Sequence, residues 1–216
     1  MHPGPAFLAR ALLALIVAAG AGFALPSCAA PPPAQEQAMT EDEFWSLIAV
    51  SAPYEADPER QMEVLAAALD ALPPEEIEAF EIEFWKQMAR AYTWDLWGAT
   101  YVIHGGASDD GFEYFRRWLI SKGRPVFEAA LADPDILADD LAPGPEGVLE
   151  FEEFSYVAGD VWARKTGRSR NDFAPESLDY MMPAEPQGTS FDEEDEAAFE
   201  SKYPRLWRRF GENPLQ

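Results

Sequence analysis

The sequence predicts an all-α protein, a compact single-domain array of about seven or eight helices with no significant sheet. Apolar residues recur at spacings of three and four over most of the chain after residue 38. Prolines, glycines and helix-capping residues divide this pattern into segments of helical length. No stretch alternates apolar and polar residues as a half-buried strand would. With 216 residues, 48 % of them hydrophobic, the chain is long enough to bury one core.

The first three helices are marked by their boundaries. Thr40 and Glu43 form a capping box before the first helix. Asp57 caps the second helix, and Pro58 occupies its first turn. A Pro-Pro-Glu-Glu run beginning at Pro73 ends the second helix and starts the third. The apolar faces expected to be buried contain Phe44, Trp45, Leu47 and Ile48, then Met62, Leu65, Leu69 and Leu72, then Ile77, Phe80, Phe84 and Met88.

Two helices follow in the most distinctive part of the chain. The fourth is predicted over residues 94–104, and a glycine pair beginning at Gly105 stops it. Ser108 or Asp109 caps the fifth helix, which ends near Gly123. The apolar face of this fifth helix contains Phe112, Phe115 and Leu119.

The second half of the chain contains shorter helices and more irregular structure. A sixth helix is predicted over 125–131, followed by a further turn capped by Asp133. A long helix is predicted over 149–165, with Gly167 at its end. Asp192 is expected to cap a final helix that runs to about Tyr203. Two stretches are predicted to be irregular, 142–147 and 168–190.

The N-terminal region resembles a bacterial lipoprotein signal. An apolar run of 15 residues, 11–25, follows Arg10 and is shorter than the roughly 20 residues of a membrane-spanning helix. It ends just before Cys28, the one cysteine of the chain, at the position where a lipoprotein thiol receives its lipid. Pro26 departs from the usual residue at its position. We therefore predict a signal peptide at 1–27, a Pro-rich tether at 28–38 and a helical domain at 39–210.

An alternative start is also consistent with the sequence. Met39 directly precedes the capping box of the first helix and would make a natural cytoplasmic start. The protein would then be a cytoplasmic interaction protein rather than one exported to the cell envelope. The two hypotheses differ in whether Cys28 is present in the mature chain.

Composition excludes several function classes. A formal net charge of −23 argues against nucleic-acid binding and against binding of anionic lipid through the body of the protein, so membrane contact is expected only through a lipid on Cys28. With two histidines and one cysteine, the chain cannot assemble the usual His- and Cys-rich zinc site. The glycine-rich nucleotide-binding motifs and the GxSxG nucleophile motif are absent. No metal and no cofactor is predicted, and the expected partner is an unidentified protein or small molecule.

The fourth helix contains the clearest candidate binding surface. Trp97, Tyr101 and His104 share one helical face, with Trp94 one turn earlier. This face could form an aromatic cleft with a titratable group at its edge. The alternative is a structural role, in which His104 contacts carbonyls at the end of its own helix.

A short polar run supplies the candidate catalytic groups. Ser108, Asp109 and Asp110 could act in acid–base chemistry together with His104. The same residue types are also expected at a helix start, where they accept free N–H groups and offset the helix dipole. The second interpretation is the one we favour from the sequence.

An arginine pair in the fifth helix completes the candidate site. Arg116 and Arg117 could bind a ligand, or Arg116 could be clamped by Asp109 or Asp110. We favour the clamp from the sequence. Glu113 precedes Arg117 by four residues, which predicts a helical ion pair.

Three blocks of sequence resemble the bacterial family called domain of unknown function 4240. They are FW near residue 44, WDLWGATYVIHGGASDDGFEYFRRWLISKGRPVFEAALADPD in the middle and YPRLW near the end. The similarity spans about 39–210. It implies a compact, mainly helical domain of a family that typically begins near Met39, and it brings no activity with it.

Two classes of function remain at this stage. The first is a binding or interaction module held at the cell envelope by a lipid on Cys28. The second is a hydrolase that uses Asp109, Asp110 and His104. The positions of these side chains in the fold discriminate between them.

Overall fold

The described part of the chain is helical, as predicted. The computed structural model describes residues 39–141, 149–173 and 181–215, and within these ranges it contains no strand and one isolated bridge, between Thr93 and Gln187. The helices are α1 Glu41–Ser51, α2 Pro58–Asp70, α3 Pro74–Arg90, α4 Trp94–His104, α5 Asp109–Ser121, α6 Arg124–Ala132, α7 Leu137–Asp140, α8 Val157–Thr166, α9 Glu196–Lys202 and α10 Pro204–Leu206. The predicted signal peptide, the tether with Cys28 and the irregular stretch 142–147 lie outside these ranges. No helix among the described residues has the length and apolar character needed to cross a membrane.

Local capping signals place several helix ends where the sequence predicts them. Thr40 and Glu43 form the reciprocal capping box of α1, with the Thr40 N–H 2.8 Å from the Glu43 carboxylate. The side chains of Asp57 and Ser108 accept N–H groups in the first turns of α2 and α5. Helix α4 ends at Gly105, whose φ of 66° lies in the left-handed region that favours glycine. These boundaries depend only on neighbouring residues.

Two helices begin later in the structure than the sequence predicts. The segment predicted as one helix over 149–165 contains a 3₁₀ turn, Glu152–Tyr156, followed by α8. Its first residues, 149–151, lie outside any helix, and the Phe151 N–H donates to the Tyr114 carbonyl at 3.1 Å. The cap of α9 is Asp195 rather than Asp192, whose carboxylate accepts a nearby N–H before the helix begins.

The core is aromatic, and three of the tryptophans that pack in it or against it donate their indole N–H to a glutamate. Helix α8 packs against both α2 and α3, with α1 against α2 and α5 against α3. A buried indole N–H needs an acceptor. Three indoles find it in a glutamate carboxylate: Trp45 with Glu41 at 3.2 Å, Trp85 with Glu81 at 2.8 Å and Trp162 with Glu78 at 2.7 Å.

The C-terminal helices are held by a carboxylate from far along the chain. Asp135 is 5 % exposed, and its side chain accepts the N–H groups of Arg205 at 3.1 Å and Leu206 at 2.9 Å. These are free donors in the first turn of α10, so Asp135 caps that helix across about seventy residues. Tyr203, just before α10, donates its hydroxyl to the Asp95 carbonyl at 2.7 Å. The C-terminal segment is thereby fixed against α4 and the turn before α7.

We expect Asp135→Ala to lower the free energy of unfolding by about 2 kcal/mol, because it removes a buried charged cap. Urea denaturation measures this loss. The matched control is Asp139→Ala, which removes an ion pair with Arg205 from a side chain that is 76 % exposed. Its expected cost is less than about 0.5 kcal/mol. Equal losses in the two variants would contradict the capping role.

Candidate functional site

The tryptophans of α4 form a stack with α5. The Trp97 ring lies 4.9 Å from the Phe112 ring at 15° and 5.2 Å from the Trp94 ring at 8°. The Trp97 indole N–H donates to the Ala107 carbonyl at 3.0 Å. The ring and the N–H group of Trp97 are therefore both used in contacts within the protein.

The C-terminal segment covers the rest of this aromatic face. Phe191 packs edge-on against Trp94 with centroids 5.6 Å apart, and Phe199 stacks on Tyr101 at 5.3 Å and 1°. The backbone carbonyl of Gln187 accepts the backbone N–H of Trp94 at 2.8 Å and so fixes the segment. These side chains pack against the face that the sequence suggested as an aromatic cleft, and Trp94, Trp97 and Tyr101 remain partly exposed.

His104 bonds a different partner from the one the sequence suggested. Its Nε2 accepts the backbone N–H of Leu149 at 3.0 Å, so the expected contact with carbonyls of its own helix is wrong. Burial lowers the pKa of His104 to about 4, and the ring is neutral at pH 7. A neutral imidazole can accept a hydrogen bond, and here it joins Leu149, which precedes the 3₁₀ turn before α8, to the end of α4.

The polar run after α4 begins the next helix. Ser108 is the N-cap of α5, where its Oγ accepts the Gly111 N–H at 3.1 Å. Asp109 and Asp110 lie exposed in the first turn, where acidic residues offset the helix dipole. The described ranges contain no group of three His, Cys, Asp or Glu side chains that could hold a metal ion.

Arg116 is not clamped by an aspartate. No ion pair joins it to Asp109 or Asp110, both of which the structure describes, and its Nη1 donates to the Met88 carbonyl at 2.9 Å. Its guanidinium lies over the rings of Tyr92 and Phe112, 4.7 and 5.0 Å from their centroids. The predicted clamp is wrong because the side chain points into the core, towards the last turn of α3, and not towards the start of its own helix.

Arg117 makes the predicted ion pair with Glu113. Its Nη1 also donates to the Glu152 carbonyl at 3.0 Å, and its guanidinium lies 5.3 Å from the Tyr114 ring centroid. Arg117 is 7 % exposed, and its Nε has no hydrogen-bond partner among the residues that the structure describes. The residue joins α5 to the 3₁₀ turn before α8.

The buried carboxyl of Glu81 is not among the residues predicted from the sequence. It is 8 % exposed, and burial raises its pKa to about 7 despite the Trp85 hydrogen bond and the nearby charge of Arg117, which both act to lower it. Glu81 lies beside Phe80 and one turn before Phe84, within the apolar stripe of α3. This position in the sequence is enough to indicate that Glu81 is buried.

An open cleft runs between α2 and α8. It encloses about 490 Å³. Its apolar lining comes from Met62, Ala66, Val157, Val161 and the ring of Tyr156. Its charged lining comes from Glu59, Glu63, Glu153, Asp160 and Arg164. None of the residues suggested as site residues by the sequence lines it.

Together, the fold and this lining define a small all-helical domain with an open surface cleft and no metal-binding cluster among the described residues. A family model described as "Protein of unknown function (DUF4240)" matches residues 39–164, more than half of the chain. The protein belongs to this family, as its resemblance indicated. The matched region contains the central aromatic block and both sides of the cleft. A search of curated proteins and a search of solved structures each found no match to the chain.

We expect His104 to make stability depend on pH. The pKa of His104 lies near 4 in the folded protein and near 6.5 in the unfolded chain, so the unfolded chain binds more protons between these values. The free energy of unfolding should fall by up to about 3 kcal/mol as pH drops from 6.5 to 4.

The test compares wild type, His104→Gln and His104→Leu by urea denaturation across this pH range. Both variants should lack the His104 contribution to the pH dependence. At pH 7 His104→Leu should be less stable than His104→Gln by about 1–2 kcal/mol, because only glutamine can still accept the Leu149 N–H. A pH dependence identical in all three proteins would contradict the role of His104.

Glu81 should make the free energy of unfolding fall as pH rises, the opposite of the effect of His104. Its folded pKa of about 7 lies above its ordinary 4.5, so its contribution is fully present below pH 4.5 and is lost as pH rises through 7. From pH 4.5 to 8, Glu81→Gln should therefore gain up to about 3 kcal/mol in stability relative to wild type. Trp85→Phe, which removes the hydrogen bond favouring the ionised carboxylate, should enlarge the pH dependence. A difference between Glu81→Gln and wild type that does not change with pH would contradict this assignment.

Proposed function

We propose that this protein is a binding module, held at the bacterial cell envelope by a lipid on Cys28. The observation that carries the binding part is the cleft between α2 and α8, an apolar surface left open in a domain with a well-filled core. Open apolar concavities with a few polar groups are the usual form of binding sites.

The hydrolase alternative has less support. His104 would have to act as a base or an acid, yet its Nε2 already accepts the Leu149 N–H. Ser108 is used as a helix cap, and the aspartates lie exposed at a helix start, where their charge has a structural use. A catalytic set needs groups that are free to contact a substrate.

The anchoring part is supported by the sequence. Arg10, the short apolar run 11–25 and the lone Cys28 follow in the order of a lipoprotein signal. The run of prolines from Pro31 to Pro33 suits a spacer between a lipid and a folded domain. The domain itself begins with the capping box at Thr40.

Metabolic labelling with a fatty acid tests the anchor. We expect label in the wild-type chain and none in Cys28→Ala, because the thiol is the acceptor of the lipid. The mass of the mature chain provides the second readout, since a chain beginning at Cys28 and one beginning at Met39 differ by eleven residues. Equal labelling of the two proteins, or a mature chain that begins at Met39, would overturn the proposal of a lipid anchor.

A further inference from the structure

We propose that the cleft between α2 and α8 binds a protein segment that presents apolar side chains flanked by lysines or arginines. This inference rests on the proposed binding function and names the site and the chemistry of the partner. Four features of the described residues support it: the floor of the cleft, its rim, an arginine already bound at one end and the extent of the apolar surface.

The floor of the cleft is a continuous apolar stripe contributed by both helices. Met62 and Ala66 are four residues apart on α2, and Val157 and Val161 are four apart on α8. Each pair therefore lies on one face of its helix, and the two faces meet in the cleft. Tyr156 extends the stripe and is 36 % exposed, which makes it one of three large hydrophobic residues exposed in the described ranges. Val157 and Val161 are themselves 7 % and 1 % exposed, so the apolar surface left for a partner is that of Met62, Ala66 and Tyr156, and covering it gains free energy.

The rim is acidic on both sides. Glu59 and Glu63 stand on the α2 side, and Glu153 and Asp160 stand on the opposite side. Within the described part of the chain, no ion pair joins Glu59 or Glu153 to a cation, whereas the one basic lining residue, Arg164, is paired with Asp70 at 3.0 Å. Glu63 is paired with Arg60 and Asp160 with Arg170, so the unpaired negative charge of the rim is that of Glu59 and Glu153, one on each side, and it favours a positively charged partner.

An arginine of the chain itself indicates how a basic side chain would bind. The guanidinium of Arg170 lies over the Tyr156 ring, 4.8 Å from its centroid, and its Nη1 is 3.1 Å from Asp160 Oδ1. The ring face and the carboxylate thus already hold a cation at one end of the cleft. Glu59 and Glu153 offer carboxylates of the same kind without such a cation.

The extent of the apolar floor selects a protein segment over a small cation. The residues from Glu59 to Ala66 span two turns of α2, about 10 Å along the helix axis. A small polyamine would satisfy the carboxylates but would leave the exposed parts of Met62 and Tyr156 in water. A segment with apolar residues at helical spacing and flanking basic residues satisfies both parts of the cleft.

The test uses the mature full-length protein in zwitterionic nanodiscs, with empty nanodiscs as the blank. The probe is a capped, fluorescein-labelled peptide with leucines at every third and fourth position and two lysines at each end, followed by fluorescence anisotropy. We expect saturable binding that weakens with salt. Glu59→Lys/Glu153→Lys should weaken it at least about tenfold by placing like charges opposite the lysines.

Two further variants separate the cleft from general charge effects. Ala66→Trp fills the floor without changing charge and should also weaken binding at least about tenfold. Glu200→Lys/Glu212→Lys makes the same change in charge at exposed positions away from the cleft and should leave binding within about twofold of wild type. Thermal melts confirm that each variant is folded before binding is measured.

Several results would overturn the inference. They are an absence of binding, equal binding of a peptide with serines in place of leucines, equal weakening by the control double variant, and full displacement by an equal concentration of spermidine. If the peptide does not bind but fatty acid labels Cys28, the partner chemistry is wrong while the proposed anchor stands.

Discussion

The buried guanidinium of Arg116 is the interaction on which the arrangement of the central helices depends. It lies over the rings of Tyr92 and Phe112 and donates to the Met88 carbonyl in the last turn of α3. Burial lowers the pKa of Arg116 to about 10, which still leaves it charged at pH 7. The nearby charge of Glu113, the negative end of the α3 dipole and two ring faces stabilise this charge. The position of Arg116 thus fixes α3, α5 and the start of α4 relative to one another.

Other polar groups of the central block are used in the same way. His104 holds Leu149, Ser108 caps α5, and Asp135 caps α10. Each accepts backbone N–H groups, and those of Leu149 and Leu206 belong to buried residues that need such a partner. Residue types that are common in active sites therefore hold the chain together here. The proton linkages of His104 and Glu81 also oppose each other over nearly the same pH range, so each hides part of the other in the wild-type protein.

The sequence predicts the parts of this fold that local chemistry controls. The capping box at Thr40 and the glycine stop at Gly105 involve neighbouring residues, so the boundaries of α1 and α4 follow from sequence alone. The predicted start of the helix over 149–165 is wrong: Leu149 and Phe151 lie before any helix, and their N–H groups bond to His104 and Tyr114, far along the chain. Nothing in the local sequence indicates such partners. The Asp135 cap escapes prediction for the same reason.

The site shows the same division. The aromatic block contains many residue types found in binding sites, so the sequence favours it as a site. The packing of Phe191 and Phe199 against that block is a tertiary contact that the local sequence does not show. The α2–α8 cleft combines ordinary residues from two distant segments, so no local motif marks it. Glu81 is different, because a charged residue within an apolar stripe is visible in the local sequence and indicates a buried carboxyl.

Native-state hydrogen exchange in increasing urea most directly tests the central claim, that the α4–α5 block is structural. We expect amides such as those of Ile103 and Leu119, both fully buried, to exchange only through global unfolding, with the free energy measured by denaturation. Exchange of these amides through a local opening several kcal/mol below global unfolding would contradict the claim, because it would make the block a mobile site rather than the core of the fold.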